Sequence, residues 1–179
     1  MTDFKQTYLN DVVKKLEEEL HVKNAMAVPA LSKIVVNMGV RGATADKKNM
    51  EVAAAALQQI TGQKAKVTAA KKSISGFKLR EGEKIGLVVT LRGKRMYDFF
   101  EKLVTIVLPR IKDFRGVKST SFDSRGNYTL GLSEYSVFPE IDPGKMDRMF
   151  GLEITMVTTA QNKEGTFALL KHMGVPFQK

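Results

Sequence analysis

The chain has no cysteine. That excludes disulfides, thiolate catalysis and cysteine-ligated zinc. Histidine is almost missing too: His21 and His172 are the only pair, far apart in sequence. Each reads as a surface or packing residue, not as a base or a metal ligand. No apolar run approaches the roughly 20 residues of a membrane span. The N-terminus, Met1-Thr2-Asp3-Phe4, shows no basic region followed by an apolar stretch, so no secretory leader is expected. A membrane-surface helix would need to be strongly basic, and the first helical pattern carries Glu17, Glu18 and Glu19 instead. The expectation is a cytosolic protein without membrane contact, with no internal repeat and no low-complexity linker. One more absence is local: no acid stands between Glu51 and Glu81.

What is present is a real core and a strong positive charge. Hydrophobic residues make up 43% of the 179 positions, enough for one packed domain spanning 1–179 and too many for a disordered basic tail. Lys and Arg number 29 against 19 Asp and Glu, a formal charge of +10. That balance favours nucleic acid as partner. Charge concentrates in the acid-free window, at Lys64, Lys66, Lys71, Lys72, Lys78 and Arg80. The window reads as a short basic strand (64–68), a loop (71–82) and an alternating strand (84–93). A one-signed loop anchored by strands is a surface offered to a polyanion. Ile74 and Phe77 fit a solvated loop poorly; one can fold back as an anchor, and the ring can stack on a base or ribose. The plainer reading is a lysine-rich loop that only aids solubility.

Along the chain, Phe4, Tyr8, Val12, Leu16 and Leu20 recur at four-residue spacing, with Leu9 and Val13 widening the stripe, and predict a helix over 3–20. Residues 31–40 alternate as a strand, with Ile34, Val36 and Met38 on one face. Thr44 or Asp46 caps a helix to about Ile60, and Gly62 stops it. A buried helix spans 94–107, with Pro109 just past its end. Residues 110–127 are mostly loop. Strands follow over 128–138 and 152–159, with a turn at 139–144 and further loop to Arg148. A last helix begins at Asn162 or Thr166 and ends at Gly174 and Pro176. Alternating strands predict an α+β fold: an antiparallel sheet with helices mainly on one face and a long basic loop projecting from it. The other face is left for RNA.

Three constellations could carry chemistry. Gly39-Val40-Arg41-Gly42 has the GxxG form that clamps phosphates between two helices, but here it leaves a strand, so a turn using glycine for positive φ is the better reading. Arg-Gly recurs at Arg41-Gly42, Arg92-Gly93, Arg115-Gly116 and Arg125-Gly126, either as phosphate forks or as element ends. Glu134, Glu140 and Asp142 could hold magnesium in a metal-dependent RNA nuclease, the alternative to a structural RNA-binding protein. The nucleic-acid reading calls for no metal, no cofactor and no catalytic residue.

Several stretches together resemble a known family. They are residues 33–40 (Lys33-Ile34-Val35-Val36-Asn37-Met38-Gly39-Val40), Ser75-Gly76-Phe77-Lys78-Leu79-Arg80-Glu81-Gly82, Val89-Thr90-Leu91-Arg92-Gly93, Asp113-Phe114-Arg115-Gly116, Arg125-Gly126-Asn127-Tyr128, Phe138-Pro139-Glu140-Ile141 and 154–160. Their order and spacing are similar to the bacterial large-subunit ribosomal protein five family over essentially the whole chain. The resemblance implies a 5S rRNA-binding protein of the central protuberance. It also implies 23S rRNA, P-site tRNA, large-subunit proteins eighteen and twenty-five, and small-subunit protein thirteen across a subunit bridge as partners. It places Lys33, Asn37, Met38, Gly39, Gln63, Lys64, Lys66, Thr90, Arg92 and Gly93 against rRNA. Lys71, Lys72, Ser73, Ser75, Gly76, Phe77, Lys78 and Arg80 are placed toward tRNA. Arg110, Lys112, Arg115, Asp142 and Lys145 are placed near the bridge. The chain departs from the family pattern at Arg41 and Ser124, often glycine there, and at Tyr135, often glutamine.

Overall fold

A computed structural model describes residues 4–22, 24–43, 47–142, 144 and 149–178, with the main chain alone at Lys47. The fold is α+β, a five-stranded antiparallel sheet with four helices. The strands are β1 (Leu31–Gly39), β2 (Lys66–Ala69), β3 (Lys84–Leu91), β4 (Tyr128–Leu132) and β5 (Leu152–Thr158), in the order β2-β3-β1-β5-β4. The chain divides into two compact units. The first takes Met1–Ile34, Leu91–Leu130 and Thr155–Lys179; the second takes Val35–Thr90 and Gly131–Ile154.

In the first unit the opening helix runs through Phe4–Thr7, a π-turn at Tyr8–Val12, and Val13–Glu19. Four-residue spacing drifts about 40° per step on a regular helix. The widened π-turn takes up that drift and keeps Tyr8, Val12 and Leu16 buried together. Leu9, expected to widen the stripe, is 54% exposed because the same turn swings it outward. The Tyr8 hydroxyl donates to the Pro29 carbonyl at 2.9 Å. Burial first, and the neighbouring Tyr97 second, push its pKa up to about 12.

The aromatic helix runs Gly93–Lys102, a π-turn at Leu103–Val107, and Leu108–Arg110. Pro109 was expected beyond the end and lies inside instead. The π-turn explains this: Leu108 donates its N–H to Leu103, and the looser turn accommodates the pyrrolidine ring that would clash in a regular helix. Residues 111–127 are irregular yet anchored, since Val117 donates to the Pro176 carbonyl at 2.7 Å. Phe122 packs on Tyr128 at 4.8 Å, and Phe167 on Phe177 at 4.6 Å. The last helix, Lys163–His172, is capped by the Asn162 side chain, which accepts from Gly165 N–H at 2.9 Å. His172 pairs with Glu19 at the surface.

In the second unit the alanine-rich helix Lys47–Thr61 buries Ala53, Ala56, Leu57 and Ile60. Gly62 (φ +66°) stops it, donating to Gln58 at 2.8 Å. The expected caps Thr44 and Asp46 lie outside the described residues. Val36 and Met38 of β1 and Leu87 and Val89 of β3 face the core, at 1% exposure or less. The expected basic strand begins at Lys66, not Lys64, and the strand expected over 128–138 ends at Leu132. A 3₁₀ turn, Tyr135–Val137, replaces its second half. Tyr135 and Phe138, three apart and both fully buried, match a three-residue turn and not a period of two. The Tyr135 ring stacks on Phe150 at 6.2 Å and 13°, which is what the tyrosine supplies at that position.

Candidate nucleic-acid interface

The expected residues Asn37, Gln63, Lys64, Lys66 and Thr90 all belong to the second unit, and strand register brings them together. Val40 donates to the Ile85 carbonyl at 3.0 Å, and counting back along the antiparallel pair sets Asn37 beside Val88. On its other side Val88 pairs with Lys66. Asn37 Nδ2 donates to Glu153 Oε2 on β5 at 3.2 Å. One row of side chains therefore crosses β2, β3, β1 and β5: Lys66, Val88, Asn37, Glu153. Strands lie about 4.8 Å apart, so Lys66 and Asn37 stand about 10 Å apart along the row.

The next row holds Thr90 with Val35 beside it and Gln63 and Lys64 at its outer end. Gln63 Nε2 donates to the Thr90 carbonyl at 3.3 Å. Its main-chain N–H donates to the Thr61 hydroxyl at 3.3 Å, and that buried hydroxyl donates to Leu57 at 2.7 Å. The helix end thus holds Gln63 in place. Lys64, Lys66 and Glu153 are exposed, and Val35, Asn37, Gln63, Val88 and Thr90 are half-buried. Gly86 keeps the adjoining row flat: a Cβ there would stand 2.9 Å from Thr68 Oγ1 and 3.0 Å from the Met38 carbonyl. The surface is a shallow, mixed apolar and hydrogen-bonding face rimmed by lysines, suited to sugar and base edges with phosphates at the rim.

Met38 needs correction. Its side chain is wholly buried, so only its main chain is open to a ligand, because alternation turns it to the core face. Gly39 is exposed at the end of β1. In the first unit, Lys33 is half-buried on β1, and Arg92 and Gly93 are exposed where β3 hands over to the aromatic helix.

The basic loop is a small hairpin of its own. Gly82 donates to Ala70 at 3.0 Å and Ala70 to Glu83 at 2.8 Å, closing its base. Ile74 and Leu79 form an antiparallel bridge, and Ser75–Phe77 make a 3₁₀ turn between them. Lys71, Lys72, Ser73, Ser75, Gly76, Lys78 and Arg80 are exposed. Phe77 is 79% exposed and Ile74 46%, so neither folds back as a core anchor. Gly76 does not make the chain reversal here. Lys78 does so, with φ 51°, because the 3₁₀ turn keeps Gly76 right-handed and leaves the reversal to its C-cap.

All four Arg-Gly glycines, Gly42, Gly93, Gly116 and Gly126, have φ between 59° and 101°, and each arginine is exposed. Gly42 lies in the turn after β1, Gly93 opens the aromatic helix, and Gly116 and Gly126 bend the irregular stretch before β4, while each arginine stays open to solvent. Among the bridge candidates, Arg110, Lys112 and Arg115 are exposed in the first unit. Asp142 accepts from Gly144 N–H at 3.1 Å in the second, and Lys145 lies outside the described residues. For the nuclease alternative, no cluster of three acids or histidines suited to a metal forms among the described residues. Glu134 instead accepts from the Ser136 hydroxyl at 3.1 Å.

Sequence reasoning missed Glu153, Val88 and Gly86. Alternation along Leu152-Glu153-Ile154 signals that Glu153 faces away from the core. That β5 lies beside β1 is a long-range fact with no local signal.

A family model described as "Ribosomal protein L5" matches residues 24–80, and a companion model for the C-terminus of the same ribosomal family matches 84–177. The chain is similar to the large ribosomal subunit protein uL5 of Streptococcus uberis, 54% identical over 175 residues, covering 98% of this chain and 97% of that one. It is similar to the protein of the same description from Mesoplasma florum, 52% identical over 172 residues and 96% of each chain.

Proposed function

The chain belongs to the ribosomal protein L5 family of the large ribosomal subunit, and from that premise we propose that it binds 5S rRNA through the lysine-rimmed sheet face and helps attach that RNA in the central protuberance. It is a structural component of the cytoplasmic ribosome and not an enzyme, with rRNA and ribosomal proteins as its partners. In this reading 23S rRNA and large-subunit proteins eighteen and twenty-five complete its surroundings. The basic loop 71–82 projects toward P-site tRNA, and residues near Arg110 to Arg115 and Asp142 approach small-subunit protein thirteen. Helices cover mainly the opposite face of the sheet and leave this one for RNA.

The observation that supports the reading most is the convergence of Gln63 on Thr90, at 3.3 Å, beside the Lys66, Val88 and Asn37 row. Short polar groups on a half-buried face, with Lys64 and Lys66 at its rim, suit base and sugar contacts better than a plain phosphate cradle. The test is capture of total ribosomal RNA on the full-length protein, followed by sizing and a salt titration. Recovery of the 5S species, with log affinity falling by about 0.7 to 0.9 per neutralised phosphate against log salt, supports it. A random RNA mixture or a flat salt response overturns it.

A further inference from the structure

We propose that Glu153 is a positioning residue: it holds the Asn37 amide with its oxygen outward, so that this patch takes hydrogen-bond donors of RNA and turns phosphate away. The proposal rests on the RNA-binding reading above.

An amide side chain has a donor end and an acceptor end, and only its partners decide which way it points. A carboxylate only accepts, so the 3.2 Å contact with Glu153 Oε2 must be made by Asn37 Nδ2. A main-chain carbonyl also only accepts, so the 3.3 Å contact with Thr90 fixes Gln63 Nε2 inward. Both amide oxygens are left at the opposite end. No described residue donates to Asn37 Oδ1 or Gln63 Oε1. The patch therefore presents a pair of fixed acceptors.

Phosphate oxygens have no proton to give such acceptors. Ribose 2′-hydroxyls and the N–H groups of bases do. The charge order along the row sharpens the choice. Glu153 sits one strand from Asn37 and repels phosphate, while Lys66 sits two strands away on the other side and attracts it. An acid on a polyanion-binding face costs general affinity. Orientation of Asn37 is what it returns, in selectivity for a donor at one spot.

The test compares wild type with Glu153→Ala, Glu153→Gln, Asn37→Ala and the Asn37→Ala/Glu153→Ala double variant. Affinity for 5S rRNA and for a generic RNA duplex of similar length is measured across salt. Glu153→Ala is expected to weaken 5S binding about threefold to tenfold, the worth of one net hydrogen bond. Binding of the generic duplex does not weaken, and the salt slope stays the same. Glu153→Gln keeps an accepting oxygen and retains most of the 5S preference. On the Asn37→Ala background, removing Glu153 no longer weakens 5S binding. Tighter binding of both RNAs by Glu153→Ala, or equal losses for both with an earlier melt, overturns the proposal. A separate readout is the Asn37 side-chain NH₂ resonance of the free protein, which must shift in Glu153→Ala. An unchanged resonance overturns the proposal even if 5S binding holds. If wild type shows no 5S preference, the parent reading fails, and the resonance still decides the Asn37–Glu153 pairing.

Discussion

The lysine-rimmed sheet face and the lysine-rich loop it leads into are built in opposite ways. The face rests on a layer of buried side chains: Val36, Met38, Leu87 and Val89 lie directly beneath it. Its polar groups are held by partners from distant segments, Asn37 by Glu153 and Gln63 by Thr90. The loop has no such layer. Its bonds are local, from Ser73 Oγ accepting Glu81 N–H at 2.9 Å to Glu83 Oε2 accepting Arg80 N–H at 3.0 Å, and its largest apolar side chain is 79% exposed. A rigid platform can read the placement of donors and acceptors. A locally tied finger can supply charge and a ring to a nearby strand and tolerate variation in where that strand lies.

The comparison breaks most sharply on the face. Asn37→Ala combined with Thr90→Val is expected to weaken 5S binding about tenfold to a hundredfold, as two net hydrogen bonds do. Both side chains are half-buried on the open side of the sheet, so the unfolding midpoint in urea should hardly move. An early melt would make them supports of the fold and not readers of RNA.

Glycine substitution sharpens the contrast at the level of packing. A Cβ at Gly86 meets Thr68 Oγ1 at 2.9 Å and the Met38 carbonyl at 3.0 Å, and main chain cannot easily give way. Gly86→Ala is expected to cost about 1–3 kcal/mol, the range for overpacking. Gly76, in the loop, has nothing within 4 Å of the same atom and no positive φ. Gly76→Ala should be neutral or stabilising by about 0.4–1 kcal/mol through the unfolded chain. Urea unfolding of the two variants decides it; equal destabilisation would mean the loop is packed as tightly as the sheet.

The same contrast explains what could be read from the sequence. Alternation in Ile34, Val36 and Met38, the alanine run before Gly62, and the Asn162 cap are local patterns, and each element formed as they indicate. The π-turns at Tyr8–Val12 and Leu103–Val107 were invisible because apolar spacing of four fits a regular helix nearly as well. Tyr135 looked like a strand residue until the three-residue interval to Phe138 met Phe150, a contact 15 positions away. At the site, Asn37, Gln63 and Thr90 were identifiable as polar groups among apolar neighbours and by family resemblance. Glu153 was not, since its role exists only because β5 pairs beside β1.

The smallest expected effect on 5S binding comes from removing the loop tip. Deleting Ser73 to Lys78 takes out Ile74 of the Ile74–Leu79 bridge, the 3₁₀ turn and the left-handed Lys78, while the closing bonds between Ala70 and Gly82 and Glu83 remain. None of the deleted side chains is buried in the core, so stability should fall by less than about 1 kcal/mol, as for surface changes generally. The sheet rows, with Lys64, Lys66, Asn37 and Thr90, are untouched, so 5S content of reconstituted large subunits should stay normal. Lys78 is the only cation lost, and single exposed charges are screened beyond about 8–10 Å at physiological salt. Loss of the whole tip also removes Phe77 and its available ring face, so P-site tRNA should dissociate faster even though the charge change is small. Measuring 5S content and tRNA dissociation on the same subunits separates the two surfaces. Normal tRNA dissociation with depleted 5S would reverse their assignment, making the loop the anchor and the face the bystander.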